Sequence, residues 1–341
     1  MVRLSVILLV FVILMSGCNQ EIEPTFIMTV NGSVSPDETG QWLTHEHVLV
    51  DFIGADSISP GRYDRQVVIS KVLPYLLQVK ELGCSTFVEC TPEYLGRDPL
   101  LLKALSDSTG LNILTNTGLY GAHQNKFIPA FAYEESAEGL SQRWISEWEN
   151  GIGNTGIRPG FIKIAVDPDS LSPFHKKLVR AAALTHLATG LTIASHTGPA
   201  IPAFQELEIL EDEGVSPEAF IWVHAHIEKD LSKLKEAASR GAWISIDKLN
   251  DSNVNEIVSI INYLRDNSLL DKVLISHDAG WYDPAVENGG EFRGYTTLFE
   301  KLIPELKKEN FTQKEIDQLI KINPARAFAV EIRKSDINNV K

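Results

Sequence analysis

The sequence predicts an α/β fold organised as a (β/α)8 TIM barrel, and three observations carry that expectation. From residue 26 onward, short apolar runs rich in strand-forming residues alternate with segments of helical periodicity. The runs are QWLTHEH, STFVECT, NILTNTG, GFIKIAV, LTIASH, FIWVHAH, AWISID and KVLISHD, eight in all, which is the number that closes a parallel barrel. Residues poorly suited to a buried strand, among them several histidines and one aspartate, gather toward the C-terminal ends of these runs. Those ends are where the loops of such a barrel converge.

Taken in chain order, the first segment stands outside the fold. In MVRLSVILLVFVILMSGC, Arg3 gives a positive start, and Leu4 to Met15 is apolar but too short to span a membrane. Ser16-Gly17-Cys18 resembles the end of a bacterial lipoprotein signal, although leucine is commoner than Met15 at its place in that box. The resemblance implies cleavage after residue 17, lipidation of Cys18 and anchorage to a membrane of the bacterial cell envelope. Residues 18–25 then read as a polar tether, and residues 26–335 as the barrel domain.

The barrel segment opens with FIMTVNGSVSPDETG, which reads as an N-terminal β-hairpin turning at Asn31-Gly32. Residues 66–82 have helical spacing and close on Gly83, with Pro74 expected to kink or interrupt them. PFHKKLVRAAALTHLATG and DLSKLKEAASRG each stop at a glycine, as helix C-termini favour.

Composition narrows the function. The chain has 341 residues, a net charge of −14 and no basic run, which excludes nucleic acid as a partner because that association rests on phosphate neutralisation. Beyond Cys18, only Cys84 and Cys90 remain. Along one strand their Cα atoms lie about 20 Å apart, far beyond the roughly 7 Å a disulfide spans.

The chemistry-bearing residues fall into place on the barrel map. His45 and His47 end the first strand, Lys163 lies in the fourth, His196 ends the fifth, His224 and His226 the sixth, and Asp278 the eighth. Residues two apart on a strand share a face, so His45 and His47 can hold one metal while Glu46 points the other way. A lone strand-end histidine is ordinarily a hydrogen-bonded core residue. Lys163, a cation among apolar neighbours, is costly unless paired or modified. Convergence of all of them on one barrel end points to a metal site.

The set LTHEHV, GFIKIAVD, IASHTG, VHAH and ISHDAG, in this order over residues 28–330, resembles the phosphotriesterase family of the amidohydrolase superfamily. The resemblance implies two divalent ions, zinc as a rule with manganese or cobalt as alternatives, bridged by a carboxylated lysine and a hydroxide. His45, His47 and Asp278 would bind the buried ion, and His196 and His224 the exposed one. Lys163 would bridge both as N6-carboxylysine. His224 is favoured over His226 because it precedes Leu231 by the family's seven-residue spacing. His226 is left as a neighbour of the ligands or a structural residue. The hydroxide would attack the substrate and Asp278 would accept its proton. An aspartate that relays this proton outward in several members is replaced by Ile227, with Glu228 beside it.

Specificity rests with the loops. Tyr120 and Lys248 stand where lactonase-like members tend to carry tyrosine and a basic residue, and Trp281 and Tyr282 begin a long aromatic segment suited to a pocket wall. The expected activity is therefore hydrolysis of a small-molecule lactone or carboxylic ester. Organophosphate hydrolysis at the same site is the alternative, and a solute-binding lipoprotein the non-catalytic one. The resemblance also allows a homodimer.

Overall fold

The structure, a computed structural model, describes residues 25–335. The signal segment, Cys18 and nearly all of the tether lie outside these residues. Among the described helices none is long and apolar enough to cross a membrane.

A short antiparallel hairpin comes first, β1 (Ile27–Thr29) with β2 (Gly32–Val34). Thr29 pairs with Gly32, so the turn is Val30-Asn31 rather than the expected Asn31-Gly32. Ten strands follow, paired in parallel: β3 (Gln41–Leu49), β4 (Cys84–Glu89), β5 (Asn112–Leu114), β6 (Asn116–Thr117), β7 (Phe161–Ala165), β8 (Ile193–His196), β9 (Phe220–Val223), β10 (Trp243–Ile246), β11 (Val273–Ile275) and β12 (Gly280–Tyr282). One sheet runs β12-β3-β4-β5 and the other β6-β7-β8-β9-β10-β11. All eight sequence runs contain strand, but NILTNTG is divided at Thr115 and the β12 segment was not foreseen.

Helices cross over between the parallel strands, as that pairing requires. Their starts are capped by side chains: Asp98 accepts from Leu101 N, Ser172 from His175 N and Asp230 from Ser232 N. α1 (Arg65–Glu81) runs through Pro74 without interruption, anchored by buried Val68, Val72, Leu76 and Val79. Here packing of one apolar face outweighs the proline's missing hydrogen bond.

The parallel strands other than β6 and β12 divide their apolar side chains between two cores. Ile162, Ile164, Trp222 and Ile244 pack with helix residues such as Val72, Leu105 and Leu178. Trp42, Phe161, Ala194, Ile221, Val223 and Trp243 form a second cluster with Phe328. Lys163 shares the face of Phe161 by strand alternation, so it belongs with this second cluster. From Trp42, strict alternation would turn Glu46 rather than the two histidines to the same face. A register shift between Leu43 and Glu46 against Phe87 and Glu89 adds one residue to β3, and this bulge brings His45 and His47 in.

Candidate metal centre

The six residues His45, His47, Lys163, His196, His224 and Asp278 line one cavity of about 210 Å³ at the C-terminal ends of the strands. His45, His47 and Asp278 each offer a ligand atom, all within 4.8 Å of one another, and so do His224, His226 and Asp247. His47 Nε2 lies 3.1 Å from Asp278 Oδ1. His224 Nε2 lies 2.8 Å from His196 Nδ1. These nitrogens and oxygens face a common space, as ligands of one centre would.

Local backbone does part of this work. β9 ends at Val223, and His224 takes a left-handed conformation with φ of 60° before a short 3-10 turn, Ala225–Ile227. The expected strand through His226 is therefore shorter than the apolar run suggests. Asp278 stands three residues beyond β11 with φ of 51°. Its amide donates to His45 O at 3.0 Å, which holds the loop against β3. Such conformations are uncommon for side-chain-bearing residues and cluster at functional sites. Gly118 lies so close to Lys163 O that a side chain would collide there.

Asp247, directly after β10, ties the imidazoles together. Its carboxylate accepts from His224 Nδ1 at 2.6 Å, His224 N at 3.0 Å and Ser245 Oγ at 2.7 Å. His45 Nδ1 and His226 Nδ1 lie 3.3 and 3.5 Å away. Burial alone would raise this carboxyl, but His224 and His45 hold it well below its ordinary range. With its Nδ1 proton committed to Asp247, His224 turns its Nε2 lone pair toward His196 Nδ1 at the cavity. Burial lowers His45 to about 4 despite Asp247, and it lowers His196 well below the usual histidine range. Neutral imidazole is the form that binds metals. Asp278 is also lowered, the burial penalty being overcome by the His47 hydrogen bond and the nearby histidines.

Several buried polar atoms of the cavity have no hydrogen-bond partner, both ring nitrogens of His226 and Trp281 Nε1 among them. Lys163 Nζ is fully enclosed and unpaired, and His45 Nδ1 has only its 3.3 Å approach to Asp247. Burial lowers the Lys163 amine, because an ammonium there lacks water and the nearby Asp247 and Asp278 carboxylates only partly offset that loss.

Glu46 points away from the cavity. Its carboxylate accepts from His277 Nδ1 at 2.6 Å, His277 N at 2.9 Å, Ser276 Oγ at 2.7 Å and Ala279 N at 3.0 Å. It thus fastens the Asp278 loop to β3. Glu228 is likewise occupied elsewhere, accepting from Ala200 N and Asp230 N.

Of the residues expected to touch substrate, Tyr120, Lys248 and Trp281 line the cavity. The Tyr120 hydroxyl lies 3.0 Å from His196 Nδ1, and burial pushes its phenol up. Tyr282 corrects the expectation: it is buried in the helix-side core beside Gly289, because neighbours on a strand face opposite ways. Phe292 and Tyr295 are core residues too. Sequence reasoning missed Asp247, His123 and Phe52, which stand at or near this cavity. Asp247 carried a readable signal, since it ends the apolar run AWISID.

Fold and site together define an α/β protein with parallel sheets and a candidate metal centre at the strand ends. The phosphotriesterase family model matches residues 25–328, and the chain belongs to that family. The phosphotriesterase homology protein of Escherichia coli is 28% identical, covering 86% of this chain and all of that protein. An aryldialkylphosphatase of Saccharolobus solfataricus is 26% identical over 87% of this chain and 97% of its own length. Among solved structures, a triple mutant of an organophosphorus hydrolase from Deinococcus radiodurans superposes with a TM-score of 0.79. It is 26% identical and covers 89% of this chain and 97% of that one.

Proposed function

We propose that this chain is a divalent-metal-dependent hydrolase of a lactone or carboxylic ester, carried on a closed (β/α)8 barrel. The observation behind this reading is the convergence of six potential ligands on one cavity where Lys163 Nζ is buried without a partner. Closure is supported by Thr44 Oγ1 donating to Ile275 O at 3.1 Å, across the gap between β3 and β11.

The residues present fit a two-ion centre. His45, His47 and Asp278 would hold one ion, His196 and His224 the other, and Lys163 both after carboxylation. The lowered amine favours free base, whose nitrogen can attack carbon dioxide; a C–N bond forms as one C=O π pair moves onto oxygen, the nitrogen's proton passes to solvent, and an anionic carbamate replaces the orphaned amine. When bound, the ions supply Lewis acidity and lower the pKa of bound water toward neutrality.

The chain's own groups do the rest. Asp278, kept ionised, accepts a proton at its carboxylate oxygen as the substrate's C–O bond breaks. Tyr120 keeps its phenolic proton and would donate it to a substrate oxygen at the cavity wall. Lys248 places a cation there to orient a carboxyl or ring oxygen. Trp281 and Phe52, stacked edge to face at 5.8 Å, exclude water from one side.

Phosphotriester hydrolysis by the same residues is the second reading, favoured by the activities in the names of the Saccharolobus and Deinococcus relatives. The test is a screen of the zinc- and manganese-loaded protein against lactones, aryl esters and phosphotriesters. Faster turnover of lactones or esters is expected. Preference for phosphotriesters adopts the second reading, and no turnover of any class by metal-loaded protein contradicts both. We extend the proposal to the amino terminus, with cleavage before Cys18, lipidation there and attachment to an envelope membrane. Mass spectrometry of the N-terminal peptide from membrane fractions should find the lipid, and an unmodified Met1 peptide refutes it.

A further inference from the structure

We propose that Glu89 and Thr91 are positioning residues that fix the proton of His47 on Nδ1, so that Nε2 faces the cavity as a bare lone pair. The inference rests on the metal-site reading for its consequence but not for its geometry. Thr91 Oγ1 lies 2.8 Å from His47 Nδ1 and 2.5 Å from Glu89 Oε1. Glu89 also accepts from Thr91 N and Val48 N, each at 3.2 Å. The side chain of Asn116 then clamps the backbone by donating to Glu89 O and Thr91 O, both at 3.1 Å. All four residues are buried.

The number of available protons fixes the direction of this chain. A threonine hydroxyl has one proton and two lone pairs. Burial raises Glu89 to about 7 despite the donors around it, so above that pH it is ionised, offers only acceptors to its three donors and takes that proton from Thr91. The hydroxyl can then only accept from His47, which must carry Nδ1–H. Outer groups that orient a ligating histidine in this way raise its basicity and hold its ring. Glu89→Gln reverses the chain: the amide donates to Thr91, the hydroxyl donates to His47 Nδ1, and the proton moves to Nε2, where it blocks the ligand position.

The tautomer is read directly by imidazole nitrogen-15 NMR on uniformly labelled, chelator-stripped protein at a pH of about 8.5, where Glu89 is ionised, with His47 assigned through His47→Asn. Wild type should show Nδ1–H, and Glu89→Gln should show Nε2–H. Thr91→Ser should keep the wild-type pattern. In parallel, zinc retention against a competing chelator should fall about 10–100-fold in Glu89→Gln and stay within twofold in Thr91→Ser. Nε2–H in the wild-type protein overturns the proposal without any variant. So does Nδ1–H persisting in Glu89→Gln, or equal zinc loss in Glu89→Gln and Thr91→Ser. Wild-type protein with Nδ1–H that binds no zinc supports the relay and refutes the metal-site reading, so the two failures are distinct.

Discussion

Replacing Asp247 by asparagine keeps the shape of the side chain and removes the charge that joins His45, His224 and His226. Two hydrogen bonds to His224, at 2.6 and 3.0 Å, are lost as charge-assisted contacts, at roughly 1.5–3 kcal/mol each. The amide oxygen still accepts one of them, while its NH2 group confronts a second donor, Ser245 Oγ or His224 Nδ1. A net loss of about 2–4 kcal/mol follows. Urea unfolding of the chelator-treated protein, followed by circular dichroism, measures it as a lower midpoint at unchanged slope. Zinc retention should fall about 10–100-fold in the same variant, because His224 no longer has a fixed Nδ1 proton. A stability change under about 0.5 kcal/mol, with zinc retention intact, refutes the role given to Asp247.

Three further outcomes can be checked. Burial raises Glu206 from its ordinary range to about 8, so the folded protein keeps a proton that the unfolded chain has lost. The associated stability is complete below about 4.5, falls as pH rises and is gone above about 8, at roughly 1.4 kcal/mol per unit. Thermal unfolding across that range should show a flatter pH dependence in Glu206→Gln; an unchanged slope contradicts it. Lys163→Met, which removes an unpartnered buried amine, should stabilise metal-free protein by about 1–3 kcal/mol, and denaturant titration that shows destabilisation opposes this. Trp281→Ala should raise KM several-fold while Tyr282→Phe leaves it unchanged; equal effects would return Tyr282 to the cavity wall.

Much of this molecule was legible in its sequence because period and chemistry coincide. GFIKIAV alternates so cleanly that Lys163 can be assigned the face of Phe161, and the structure buries it there. His45 and His47 were assigned to one face for the right spacing, but their phase depends on a bulge that alternation does not reveal. The ends of the strands were less readable. His224 and Asp278 leave the extended conformation for left-handed backbone, which apolar content cannot signal. Asp247 visibly ends an apolar run, but the partners that give it a role come from separate segments of the chain that spacing does not join. Tyr282 was misread because an aromatic next to a cavity residue looks like its companion until the strand separates their faces.

The two-ion centre is tested by elemental analysis of wild-type and Lys163→Ala protein alongside ester hydrolysis. About two divalent ions per wild-type chain are expected, with loss of at least one in the variant and loss of activity with it. Stoichiometrically metal-free protein that hydrolyses esters as fast as metal-loaded protein would contradict it.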